Sequence, residues 1–243
     1  MFLLGPAHSL CNLEYSDRYD VPVFYHNGTD YDFHHLIRYL GCYKKEFPDI
    51  GALANSSVRI HHHHHHYHLV LQEKFTSLQL RHPRKPTISL KDSCRFLQAS
   101  LDTLVSNLYK LAQTQGYKET FPHVYRYFQN VWAHSIPEEG FYLLLKKGYF
   151  PYKYFDRFDR FEETGLPRKE HFSNELREEE ISQEGYQHAC KVFETFKLKS
   201  FKDYHDLYLE LDTVLLTDVF EQFRESTLQE HKLDPAAYIS LPG

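Results

Sequence analysis

Two aspartates, each with a tyrosine nearby, are the residues of this sequence best suited to chemistry. In "HNGTDYDFHHLI" (26–37) a preceding apolar run, "VPVFY", gives way to a turn-like stretch holding Asp30, Tyr31 and Asp32. In "DYHDLYLELDTVLLTDVFEQFR" (203–224), Asp212 follows Tyr208 by four residues, precedes Leu215 by three and Val219 by seven. That spacing sets Asp212 in line with the apolar stripe of a helix, not on its wet face. An unpaired carboxylate there would be costly, so it calls for a base, a hydrogen-bond donor or a metal ion. Each acid also has a plainer reading. Asp32 suits the first turn of a helix, drawn by exposed N–H groups and the helix dipole. Asp212 suits an ion pair with Lys or Arg at the stripe's edge. Asp30 reads as a capping or solvated acid, and Asp218 as an ordinary solvated one.

The elements that must position these residues follow from periodicity. "VPVFYHN" (21–27) has strand composition, and "YDFHHLIRYLGC" (31–42) reads as a short helix ended by Gly41. "TSLQLRH" and "PTISLKDS", split by Pro83 and Pro86, form a predicted hairpin. "SLDTLVSNLYKLAQ" (100–113) spaces Leu101, Leu104, Val105 and Leu108 as a helix does, with Ser100 as its N-cap. Residues 137–175 are aromatic-rich and broken by Gly and Pro, while 176–196 is helical in composition. The strongest predicted helix runs from Asp203 to about His231. Strands early, helices late and no fixed-period repeat imply a mixed α/β fold.

Composition bounds the function classes. The 243 residues, 42% of them hydrophobic, suffice for one large domain or two small ones. A net charge of −5 gives no global basic field, although a local basic groove is compatible with it. Tyr and Phe, 19 of each, serve core packing first and base stacking second. Cys11, Cys42, Cys94 and Cys190 are scattered without a C-x-x-C, which fits a reducing compartment, nucleus or cytoplasm. "MFLLG" is too short for a signal-peptide core, and no run approaches the roughly 20 residues of a membrane span. The tract His61–His66, followed by Tyr67 and His68, sits inside "VRIHHHHHHYHLVLQ" (58–72). Consecutive strand residues point to alternate faces, so it reads as a low-complexity insertion that chelates Ni²⁺ or Zn²⁺ only weakly.

Asn27 through Asp32 fit N-x-x-x-(F/Y)-D, and "YLELD" (208–212) fits Y-x-x-x-D. In that order, and about 180 residues apart, they resemble the second and third exonuclease motifs of family B DNA polymerases. "LKDSCRFLQASLDTLVSNL" (90–108) is similar to the segment carrying that family's S/T-L-x-x-h motif, matched by Ser100, Leu101 and Leu104. "LLKKGYFPYKYFDRFDRFEETGLP" (144–167) and residues 203–224 look like the protein-primed branch of viruses and Polinton-like mobile elements. The resemblance spans roughly residues 21–243. It implies a ribonuclease H-like (DnaQ-type) α/β fold and two-metal phosphodiester hydrolysis, with Mg²⁺ or Mn²⁺ ions about 4 Å apart held by about four carboxylates. It also implies roles. Asp32 and Asp212 are metal ligands, and Tyr208 orients the attacking water. Asn27 and Tyr31 touch the 3′-terminal nucleotide, and Ser100 and Leu101 contact the frayed strand. Lys147, or Lys146 in its place, stabilises the scissile phosphate. Implied partners are the single-stranded 3′ end, primer–template DNA and a terminal protein primer, with no membrane.

The sequence departs from this family at one point that matters for activity. The first exonuclease motif, an Asp-x-Glu pair, is not among the 26 residues before Asn27. "GPAHSLCN" (5–12) is instead similar to the tail of an endonuclease VII-type HNH unit, in which Cys11 would bind structural zinc and Asn12 a catalytic metal. The expected layout is an HNH remnant over 1–19, an exonuclease-like domain over 20–232 with the His-rich insertion, and the start of a polymerase linker over 233–243. With half of the carboxylates wanting, the fold is expected to be incomplete at its N-terminal strands and the chain inactive as an isolated fragment. The alternative is a non-catalytic module, derived from the same region, that binds single-stranded DNA or metal.

Overall fold

A computed structural model describes residues 20–40, 49–54, 75–82, 85–131, 138–172 and 181–240. The HNH-like stretch with Cys11 and Asn12, the predicted helix end at Gly41 and the His tract lie outside the described residues. The chain divides into two compact units, Met1–Leu97 with Pro235–Gly243, and Gln98–Asp234. The span 20–232, expected as one domain, is thus shared between them.

In the first unit, strand β1 (Asp20–Tyr25) leads through a turn into helix α1 (Asp32–Leu40). Strands β2 (Asp49–Ala54), β3 (Phe75–His82) and β4 (Lys85–Asp92) follow. Among the described residues these form one sheet in the order β1-β4-β3-β2. The predicted hairpin is present as the antiparallel pair β3–β4, with Leu78 opposite Leu90 and Leu80 opposite Ile88. β2 runs antiparallel to β3. β1 lies parallel to β4, a register that sets Tyr25 beside Asp92. Apolar positions i, i+3 and i+4 of α1, namely Phe33, Leu36 and Ile37, seat it on Leu78, Leu90, Tyr25 and Ile88. Ser89, Leu90, Lys91 and Asp92 are all buried, so β4 is covered on both faces where alternation would leave one wet.

The second unit is helical. Helix α2 (Leu101–Gln115) starts at Ser100, whose hydroxyl accepts the Thr103 N–H as predicted, and buries Leu101, Val105, Leu108 and Ala112. Short helices α3 (Tyr117–Thr120), α4 (Pro122–Val131) and α5 (Glu138–Leu144) follow. Helix α6 (Gln183–Thr195) begins after Ser182, which caps the Gly185 N–H, so it starts later than composition suggested. Helix α7 (Phe201–His231) has 31 residues and at 1.5 Å per residue spans roughly 46 Å. Its capping box joins Ser200 to Asp203, which moves the start two residues before Asp203. α2 and α4 both pack along α7. The mixed α/β class is as expected, with the strands in one unit and most helices in the other.

Candidate functional site

The first group of residues stands where β1 turns into α1. Asp30 N–H bonds to Asn27 O, while Tyr31 N–H and Phe33 N–H both reach Gly28 O, the latter at 2.9 Å. Asn27 takes the left-handed region at φ 64°, and Gly28 packs so tightly that an added Cβ would meet Tyr25 Cβ at 2.7 Å. Asp32 opens the first turn of α1, the position its plainer reading predicts, and stays in contact with solvent. Partial burial, and then the nearby charge of Asp92, raise its carboxyl pKa against the opposing effects of its own backbone N–H and of His35. Tyr31 is 62% exposed, free to meet a ligand from solvent.

Asp92 was not singled out by sequence, yet it organises this turn. It is 2% exposed. Its Oδ1 accepts Asn27 N–H at 2.9 Å and Cys94 N–H at 3.0 Å, and its Oδ2 accepts Thr29 N–H at 2.9 Å. Beside it, Ser93 Oγ donates to Tyr25 O at 2.9 Å and lies 2.9 Å from His26 Nδ1. A hydroxyl has one proton, so Ser93 accepts from the ring and His26 carries its hydrogen on Nδ1. Burial, followed by the charge of Asp92, pushes the Cys94 thiol up to about 11.

The second group lies in the helical unit. Lys147 Nζ donates to Asp212 Oδ2 at 2.8 Å, with side chains 29% and 22% exposed. The same ammonium stands 5.8 Å from the centre of the Tyr208 ring. Lys146 turns away, over the ring of Tyr149. Of the two candidate lysines, Lys147 is therefore the one that meets Asp212. Tyr208 is buried, stacked on Phe150 at 5.1 Å, and its hydroxyl lies 2.7 Å from that of Tyr152. Gly148 makes this possible, since a Cβ there would stand 3.0 Å from Tyr208 Cδ2. Burial and then the negative charge of Asp212 raise the Tyr208 phenol far above its ordinary value, so it stays neutral and able to donate. Tyr152 is a second residue that sequence reasoning missed, and only its place in the aromatic run "KKGYFPY" hinted at it.

Two assigned residues have other occupations. The Ser100 hydroxyl is engaged as the α2 cap and with Thr103 Oγ1 at 2.9 Å. Leu101 is 7% exposed, turned into the core instead of toward a strand in solvent. One expectation is overturned. Asp218 is not a solvated acid but 2% exposed, its two oxygens each accepting at 2.9 Å from His123 N–H and Val124 N–H at the start of α4.

Among the described residues no three His, Cys, Asp or Glu side chains gather as a set that could hold an ion. The fit to a divalent ion is thus partial, and it rests on Asp212. Its Oδ2 holds Lys147, while Oδ1 is buried and makes no well-formed hydrogen bond, with the Tyr208 phenol the other group that interacts with this carboxylate. No family model, curated protein or solved structure matches the chain.

Proposed function

We propose that the chain is the 3′–5′ exonuclease region of a protein-primed family B DNA polymerase, on a ribonuclease H-like sheet, with Asp32 and Asp212 each a carboxylate ligand of Mg²⁺ or Mn²⁺. The observation that carries this reading is the meeting of Lys147, Asp212 and Tyr208, three residues that separate motifs nominated for one reaction. When bound, a divalent ion supplies an activated water and offsets charge on the leaving 3′ oxygen. The chain's own residues do the rest. Lys147 places a positive charge beside Asp212, suited to a phosphodiester. The Tyr208 phenol, held neutral, donates a hydrogen bond that orients a water and does not act as a base. Asn27 and the exposed Tyr31 face the 3′-terminal nucleotide.

The test uses the full chain and a 5′-labelled single-stranded oligonucleotide. With Ca²⁺, the expected result is binding that prefers a single-stranded 3′ end to duplex and weakens about tenfold in Lys147→Met or Asn27→Ala. With Mg²⁺ or Mn²⁺, 3′ trimming is expected to fall in Asp32→Ala and in Asp212→Ala. Absence of binding, or equal binding by all variants, would sink the reading. Trimming that survives both substitutions would overturn the assignment of these two carboxylates.

A further inference from the structure

We propose that Asp92 is the positioning residue of the Asn27–Asp32 segment: its buried carboxylate grips the turn through backbone N–H groups and so fixes where Asn27, Tyr31 and Asp32 project. The role of that segment rests on the reading above, whereas the grip stands on geometry alone. Asp92 ends β4, and two of its three backbone bonds reach across the chain to Asn27 and Thr29, 65 and 63 residues away in sequence. A residue serving only to start the 3₁₀ turn Ser93–Arg95 would need the single bond to Cys94 N–H. Both oxygens are committed to this turn, and the parallel register that seats Tyr25 beside Asp92 delivers the turn to them.

The turn has a physical need for such a hold. Asn27 adopts a left-handed conformation, which Asn tolerates better than other side chains but does not by itself enforce, and Gly28 is pressed between Tyr25 and Phe33. Two N–H groups converging on one carboxylate make a concave cradle in which the anion belongs to the protein and not to a ligand. Loss of the carboxylate frees Asn27 to relax, and with it the direction from which α1 begins. The Asn27 side chain and Asp32 would then no longer share a fixed frame, although the sheet and the packing of Phe33 need not change.

Two measurements on the full chain decide the matter. In the unaltered protein, amide hydrogen exchange at Asn27 and Thr29 is expected to be as slow as at the buried residues of β4, and free exchange there would overturn the grip without any variant. In Asp92→Asn, which keeps the shape but sets an NH₂ against one of the N–H donors, binding of an oligothymidylate with Ca²⁺ is expected to weaken about tenfold at a temperature well below the melting transition. Unchanged affinity with a lowered melting temperature would reduce Asp92 to a structural cap and overturn its positioning role. If Asp92→Asn fails to fold, the same comparison is made with Asp92→Glu, which keeps the charge, moves the two oxygens by one methylene and leaves the side chains of Asn27, Tyr31 and Asp32 untouched. Weakened binding in a folded Asp92→Glu supports the positioning role, and unchanged binding overturns it. An unaltered chain that binds no oligonucleotide defeats the reading under Proposed function, while exchange at Asn27 and Thr29 still decides the grip.

Discussion

Asp212 and Asp218 stand six residues apart on α7, and their surroundings ask different things of them. Asp218 gives each oxygen to a backbone N–H at the start of α4, where the partial positive charge of the helix end meets a full negative one. Asp218→Ala is expected to lower stability by about 3 kcal/mol, since it removes two charge-assisted bonds and strands two donors, and denaturant unfolding will show it. Asp212 keeps one oxygen on Lys147 and one without a well-formed hydrogen bond, so its replacement should cost less stability. At Cys94 the environment predicts reactivity. A thiol pKa raised from 9.0 to about 11 leaves about a hundredfold less thiolate below pH 9. Alkylation by iodoacetamide at pH 8, followed peptide by peptide in a mass spectrometer, should be slowed accordingly at Cys94 and should quicken in Asp92→Asn, which removes the neighbouring charge.

Helix ends and apolar stripes are where the sequence spoke most clearly. Ser100 announces its cap through side-chain chemistry that acts within three residues, so local reading finds it, whereas the Ser200–Asp203 capping box went unread and the start of α7 was set two residues late. The β3–β4 pairing was legible for the same reason, two alternating runs separated by proline. Asp218 was misread because its partners lie 94 and 95 residues away, and no periodicity on α7 reports what packs against it. Asp92 and Tyr152 were missed on the same ground, each defined by a long-range hydrogen bond and not by its neighbours in sequence. The buried run Ser89–Asp92 also defeats alternation, because both faces of β4 are covered. At this scale Ser200→Ala is expected to cost about 1 kcal/mol through the lost capping box. Leu215→Ala, at a position with no exposed surface, should cost about 3 kcal/mol through the cavity it leaves. Thermal melting of both variants tests the ranking, and a larger loss for the cap would contradict the view of α7 as a helix held by its packing.

The whole molecule is two units, and the helical one is continuous in sequence from Gln98 to Asp234. It has its own buried core of Val105, Val124, Phe128, Phe201, Leu207 and Leu215. A chain cut to residues 98–234 is therefore expected to fold alone, with strong helical circular dichroism and one cooperative melting transition, and a broad non-cooperative melt would contradict its independence. The other unit has no such continuity. Residues 235–240 belong with the sheet, and the Lys91 ammonium donates to Ala236 O at 2.6 Å, 145 positions further along the chain. During synthesis at roughly 5–20 residues per second, a ribosome needs on the order of 10–30 seconds to pass from one partner to the other. The strands of this unit, though translated before the helices, thus meet one of their hydrogen-bond partners only after the helices have been made.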